Sequence, residues 1–267
     1  INVPAQSLNG FRRAVEIVKD FRPDLIWACS DAYIVSLGVW LARRISTVSV
    51  VDLYDNFESF FATHLPGVRA IFKRAVRAAN GVTCVSSQMA EYIDEQYKCR
   101  SPILILENAV RPDLFFPLPQ LACRTQLHLP ITGKIIGTAG ALTKSRGIDT
   151  LFSAFRHLAE ESRDIHLAIA GPRSRLSRIP ADSRVHDLGM LPLDQVPTLI
   201  NALDVAIICN RDSEFGRYNF PQKAYEILAC RKPLLASSIG SMRQLLRSYP
   251  DCLFEPESVQ SLAAAVR

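Results

Sequence analysis

Short apolar runs alternate with helical patterns along nearly the whole chain. Residues 25–28 (LIWA), 47–51, 82–85 and 103–106 are compact runs rich in Val, Ile and Leu, as expected of strands buried on both faces. Between them, positions 11, 14, 15, 17, 18 and 21 form one apolar stripe at helical spacing, and Pro23 closes it. Helices are likewise predicted over 33–44, 67–80 and 89–97, with Gly81 as a C-terminal cap and Ser86 or Ser87 as an N-cap. The stretch RPDLFFPLPQ (111–120) breaks the alternation and reads as a linker, because proline suits neither helix nor sheet interiors. Strands then resume at 134–138, 166–170, 185–188, 205–209 and 233–236, with helices at 148–160, 193–202, 222–230 and 241–247. The chain stops inside a further amphipathic pattern. Strand–helix alternation on both sides of a linker predicts an α/β protein of two Rossmann-like domains, 1–117 and 118–267, facing across a cleft.

Composition narrows the class. With 267 residues, 48% of them hydrophobic and 21% charged, the chain can bury a full core and is not a disordered or low-complexity sequence. Its longest apolar stretch, 32–42, falls far short of the ~20 residues a membrane-spanning helix needs. The seven cysteines are odd in number, form no CxxC pair and sit in apolar runs such as VTCVSS and VAIICN. They read as buried reduced thiols, with no disulfide framework and no metal site.

The net charge of +5 splits into 13 basic against 12 acidic residues before Pro117 and 18 against 14 after it. That mild bias suits a phosphate-bearing ligand or an anionic surface. No segment mixes dense basic residues with aromatics, so nucleic acid is not an expected partner. Arg69, Lys73 and Arg77 recur every four residues on one helix face, with Val68, Ile71, Phe72, Ala75 and Val76 on the rest. A soluble helix with a solvated basic stripe and a helix docking peripherally on anionic lipid both fit this pattern.

Ligands of open parallel sheets bind beyond the carboxyl ends of the strands. Two such turns carry candidate chemistry. The first, GTAGALTKSRG (137–147), offers glycines, a helix N-terminus, Lys144 and Arg146. It lacks the Gly-Lys-Ser/Thr of a Walker loop. The second runs from Asn210 through Asn219 and Phe220 into a helix bearing Lys223 and Glu226. Those two are i, i+3 and share a face, so they form either a solvated ion pair or a site for phosphates with hydroxyls one turn deeper. In the first half, Asp52 and Asp55 follow a strand in VVDLYDN, where each could cap a turn or meet a substrate hydroxyl. His64, alone near a helix start, reads as a cap or surface residue.

The stretches GTAGALTKSRGIDTLFSAF, IHLAIAGP, VHDLGMLPLDQVPTLINALDVAII and FPQKAYEILACRKPLLAS resemble the C-terminal domain of retaining GT-B glycosyltransferases, family 4 in particular. RPDLIWA, VVDLYDN, GVTCVSSQMAEYI and LILENAVRPDLFFP resemble that family's N-terminal domain and junction. The resemblance implies metal-independent transfer of a sugar, with retention, from a UDP- or GDP-sugar to a glycan or lipid-linked acceptor, in the cytoplasm or at the inner face of a membrane. The nucleotide sugar is substrate and no cofactor is implied. Arg146 matches the diphosphate-binding lysine, Glu226 the ribose-binding glutamate, and Gly140, Lys144, Asn219, Phe220 and Lys223 the donor loops. Arg146, Lys223 and Asp55 are the implied catalytic set. The chain departs from the family at Ala141, where an arginine is usual, and at Tyr218, where the first glutamate of E-x7-E would fall. Two alternatives therefore stand beside the enzyme: a degenerate GT-B binding module and a GT-B sugar-nucleotide epimerase. Against the family's length, the N-terminal domain reads as incomplete and the chain as lacking both ends.

Overall fold

A computed structural model describes residues 8–59, 65–173, 178–218 and 222–267. The chain divides after Asn108 into two compact units, with Tyr218 grouped with the first.

The first unit holds α1 (Leu8–Phe21), β1 (Leu25–Ala28), α2 (Ala32–Arg44), β2 (Val48–Leu53), α3 (Val68–Ala78), β3 (Gly81–Cys84), α4 (Ser87–Tyr97) and β4 (Ile103–Ile105). Its four strands lie in chain order, all parallel. Val51, Leu53, Phe72, Val76, Val82, Met89 and Ile93 form the core between sheet and helices. Local signals set the helix starts: Asp31 accepts from the Tyr33 and Ile34 amides ahead of α2, and Ser86 from Met89 ahead of α4. Gly81 does not cap α3 as its position suggested. The helix ends at Ala79, and Gly81 opens β3 opposite Val50.

Glu58, in the turn Phe57–Ser59, is 8% exposed. It accepts from Arg69 Nε at 2.8 Å, from Arg69 Nη2 at 3.3 Å and from the Tyr92 hydroxyl. Burial works against its ionised form, and the Arg69 and tyrosine hydrogen bonds outweigh it, leaving the carboxyl pKa below the usual range. One member of the basic stripe on α3 is therefore tied to the unit's interior. Lys73 lies over the Tyr97 ring at 5.2 Å. Ile71, expected on the packed face, is 60% exposed instead, because Phe72, Ala75 and Val76 take the core side.

The second unit holds α5 (Gln120–Gln126), β5 (Lys134–Ala139), α6 (Ile148–Glu161), β6 (Ile165–Ala170), β7 (Val185–Asp187), α7 (Val196–Ala202), β8 (Val205–Ile208), α8 (Glu214–Tyr218), α9 (Gln222–Ala229), β9 (Leu234–Ser237), α10 (Gly240–Leu245), β10 (Leu253–Phe254) and α11 (Val259–Val266). Its six strands are parallel in the order β10-β9-β8-β5-β6-β7. From β5 the chain winds one way to β7, then returns beside β5 and winds the other way to β10. The sheet is thus doubly wound, with its switch point between β5 and β8. Ile136, Leu151, Phe155, Leu158, Leu167, Ile169 and Ile207 pack α6 and α11 onto it.

The proline-rich stretch does not separate the units at Pro117. It lies along the second unit: Phe115 is buried, the Leu118 amide donates to Asn201 Oδ1 at 2.9 Å, and Asn201 Nδ2 donates to the Phe116 carbonyl. The stretch passes directly into α5. There Arg124, 5% exposed, reaches Asp204 at 2.7 Å and the carbonyls of Ala202, Ile131 and Gly133. Asp204 also accepts the Ile135 amide at the start of β5. All seven cysteines are free, with Cys84, Cys123, Cys209 and Cys230 buried. Among the described residues no helix is long and apolar enough to cross a membrane.

Candidate functional site at the switch point of the second sheet

The ends of β5 and β8 are drawn together by glycines. Gly140, at φ +121°, follows β5, and a methyl there would come within 3.1 Å of Lys223 Nζ and 3.3 Å of its Cε. The lysine side chain therefore lies against the glycine's open face. Gly147, at φ +65°, ends the short turn Lys144–Arg146 and starts α6. A methyl on it would sit 2.5 Å from the Cys209 carbonyl, so only glycine lets the turn that carries Arg146 press against the end of β8.

The recess so formed is lined by Thr138, Ala141, Arg146, Cys209, Asn210 and Lys223, with Ile148, Leu151, Ile207 and Ile208 beneath. Lys223, in the first turn of α9, has no ion-pair or hydrogen-bond partner among the described residues. Burial, and after it the Arg146 charge, pushes its ammonium pKa from 10.5 down to about 8. Two cations thus converge on one small space with no carboxylate bonded to Lys223. Cys209 is pushed up to about 12, mainly by burial, and stays a neutral thiol.

Glu226 lies one turn along α9, half-buried. Its carboxylate forms no ion pair with Lys223, so the solvated i, i+3 pair that the spacing allowed is not what the structure contains. Burial raises its pKa and Lys223 offsets this in part. A half-buried carboxylate without a partner is an acceptor open to hydroxyl donors.

Gly140, Arg146, Lys223 and Glu226 are therefore brought together on one unit. Lys144 is exposed and does not line the recess. Asn219, Phe220 and His64 lie outside the described residues. Asp55 belongs to the first unit, where it accepts the Asn56 amide and caps the turn after β2, while Asp52 accepts from the Thr83 hydroxyl at 2.6 Å. Among the described residues no group of three or more His, Cys, Asp or Glu could hold a metal ion. Sequence reasoning missed Thr138 and Asn210 as site residues. Both are polar interruptions at the carboxyl end of an apolar strand run, which was the available signal.

Beyond the recess, Arg211 pairs with Asp149 in the first turn of α6, and with Glu257 at 3.1 Å. This ties the loop after β8 to the helix whose N-terminus faces the site.

A doubly wound parallel sheet with glycine turns and paired cations at its switch point defines a Rossmann-like α/β protein. The chain belongs to the glycosyl transferases group 1 family, whose model matches residues 133–267, and the Glycosyltransferase Family 4 model matches residues 2–114. It is similar to the 2-deoxystreptamine glucosyltransferase of Streptomyces kanamyceticus, 24% identical over 274 residues, covering 95% of this chain and 70% of that protein. It is also similar to a putative teichuronic acid biosynthesis glycosyltransferase of Bacillus subtilis, 22% identical over 249 residues, covering 93% of this chain and 61% of that protein. Among solved structures, Anabaena HepE in complex with UDP superposes with a TM-score of 0.79 at 20% identity, over 96% of this chain and 71% of that one. Sucrose-phosphate synthase from Thermosynechococcus elongatus gives 0.74 at 19% identity, over 99% and 70%. The fold is that of the GT-B glycosyltransferases, as the sequence led us to expect.

Proposed function

We propose that this chain is a glycosyltransferase that takes a sugar from a UDP- or GDP-sugar, with retention, and passes it to a glycan or lipid-linked acceptor. The observation that carries the reading is the convergence of Arg146 and Lys223 at the switch point, with an unpaired Glu226 one turn deeper. A diphosphate suits the two cations, and vicinal ribose hydroxyls suit the carboxylate. In the reaction the bond from the anomeric carbon to the diphosphate oxygen breaks, and its electron pair leaves on the diphosphate. The acceptor oxygen forms the new bond and its proton passes to a base, a role we assign to Asp55. Arg146, Lys223 and the α6 N-terminus stabilise the charge that develops on the leaving group, so the assigned chemistry runs without a metal ion. Asn219 and Phe220 complete the donor loop in this reading, with Gly140 and Lys144 on its other side.

The S. kanamyceticus relative is named as a glucosyltransferase and HepE was solved with UDP, which supports the donor class. The test is release of nucleotide from a panel of UDP- and GDP-sugars, with and without glycan acceptors. Turnover of one donor is expected. Nucleotide binding without turnover by the full-length protein would select the binding-module alternative, and inversion at C4 or C2 of the bound sugar the epimerase.

Arg69, Lys73 and Arg77 are assigned a peripheral contact with an anionic membrane on the cytoplasmic side, supported by exposed Ile71 on the same helix. Flotation with vesicles containing anionic lipid should retain the protein at low salt and lose it when all three are changed to Gln. Equal flotation of the two would remove this contact.

A further inference from the structure

The recess beside Lys223 contains two polar side chains that the fold does not use. Thr138 is 8% exposed and Asn210 is 4% exposed, and both line the same space as Lys223 and Arg146. The Asn210 backbone amide is taken by Ser237 Oγ at 3.0 Å. Neither its side-chain amide nor the Thr138 hydroxyl has a hydrogen-bond partner among the described residues. The fully enclosed, unpaired side-chain polar atoms among the described residues are Tyr97 Oη, Asp149 Oδ1 and Arg211 Nε; those of Thr138 and Asn210 are instead accessible and line the recess. Two such groups, one in β5 and one in the loop after β8, opening onto one recess between two cations, indicate a built binding site.

The recess has a volume of about 10 Å³, which is room for a single water-sized oxygen. Its polar lining offers an ammonium, a guanidinium, a hydroxyl and an amide N–H, all able to donate. Its remaining walls are apolar, so a hydrogen bond made there is strengthened by low polarity.

We infer that Thr138 and Asn210 are donor-binding residues that, with Lys223 and Arg146, enclose one non-bridging phosphate oxygen of a nucleoside diphosphate. This rests on the proposed donor and adds to it the atoms that grip the leaving group. The two neutral donors matter because Lys223 holds its proton weakly for a lysine. They keep the recess attractive to an anion at a pH where the ammonium is partly lost. They also sit where negative charge accumulates as the sugar departs.

The test uses Thr138→Val, which keeps shape and removes the hydroxyl, and Asn210→Leu, which removes the amide at similar volume. Lys223→Met serves as control. UDP, GDP and the phosphate-free nucleoside of whichever diphosphate binds are titrated into each protein by calorimetry, with melting temperatures alongside. The loss of one hydrogen bond to a charged group should weaken diphosphate affinity about 10- to 100-fold in each variant and leave nucleoside affinity unchanged. Melting temperature should stay level, since neither side-chain polar group is hydrogen-bonded to another described residue. Unchanged diphosphate affinity in both variants, while Lys223→Met loses it, overturns the recess alone. So does an equal loss for diphosphate and nucleoside, or a lower melting temperature without an affinity change. Failure of the unaltered protein to bind either diphosphate overturns the donor reading, and the recess with it.

Discussion

If Lys223 holds the donor as proposed, its lowered pKa should make donor binding pH-dependent in a window where most lysines are silent. Its ammonium is buried, close to Arg146 and bonded to no carboxylate among the described residues, and its pKa falls from 10.5 to about 8. At pH 7 about nine in ten molecules carry the charge, and at pH 9 about one in ten. If the charged form is the one that holds the diphosphate, affinity should fall about tenfold between pH 7 and 9. The ligand contributes little to that change, because a terminal phosphate with a second pKa near 6 is already about nine-tenths ionised at pH 7. The linkage to stability has the opposite sense. The folded chain gives up this proton before the unfolded chain does, so Lys223 makes stability rise with pH between about 8 and 10.5.

Calorimetric titration of UDP and GDP from pH 6.5 to 9.5 would follow the first effect, and urea unfolding over the same range the second. Lys223→Met should bind more weakly throughout and show neither dependence. Lys223→Arg, charged at every pH tested, should flatten the binding curve. An unaltered protein whose diphosphate affinity is level from pH 7 to 9 would refute the reasoning, since Lys223 would then be either normally basic or remote from the ligand.

Other outcomes follow from single contacts. Glu226→Ala should weaken nucleotide binding about 100-fold or more, because two charge-assisted hydrogen bonds to the ribose would be lost; calorimetry reads this directly. Gly147→Ala should cut diphosphate affinity and lower the melting temperature, because the added methyl meets the Cys209 carbonyl at 2.5 Å and φ is +65°. Arg124→Met should cost about 3 kcal/mol in urea unfolding, leaving Asp204 with one charged partner fewer at the junction of α5, α7 and β5. Glu58→Gln should lower stability at neutral pH. It should also remove part of the acid-induced loss, because the depressed Glu58 pKa gives stability that is present above about 4.5 and disappears as pH falls through the folded value.

Most strands were legible because parallel sheets bury both faces of a strand, which writes it as an unbroken apolar run between helical stripes. β1 was read with its observed bounds, and β5, β6 and β8 to within a residue at either end. What was not legible depends on contacts far along the chain. The helix α5 follows directly on the proline-rich stretch, and it is held by Gln120 and Arg124 reaching the carbonyls at and just after the end of α7. The helix α8 is only five residues, EFGRY, too short to show a helical apolar period. Gly81 carried the composition of a cap but was used to start a strand.

The site divides in the same way. Gly140, Arg146, Lys223 and Glu226 follow strands or open a helix, so the carboxyl-end rule and helical spacing single them out as candidates. Thr138 and Asn210 carried only a weak sequence signal; that they share one recess with both cations is a property of the packed structure. Glu58 is similar: nothing in its spacing marks a carboxylate held by Arg69 and Tyr92.

The central claim is that the switch point of the second sheet holds the nucleotide diphosphate of a sugar donor. A crystal structure of the protein with UDP or GDP tests it most directly. The diphosphate should lie between Arg146 and Lys223, with one phosphate oxygen beside Thr138 and Asn210 and the ribose hydroxyls on Glu226. A nucleotide bound elsewhere, or one whose ribose lies away from Glu226 with its phosphates outside the recess, would contradict it.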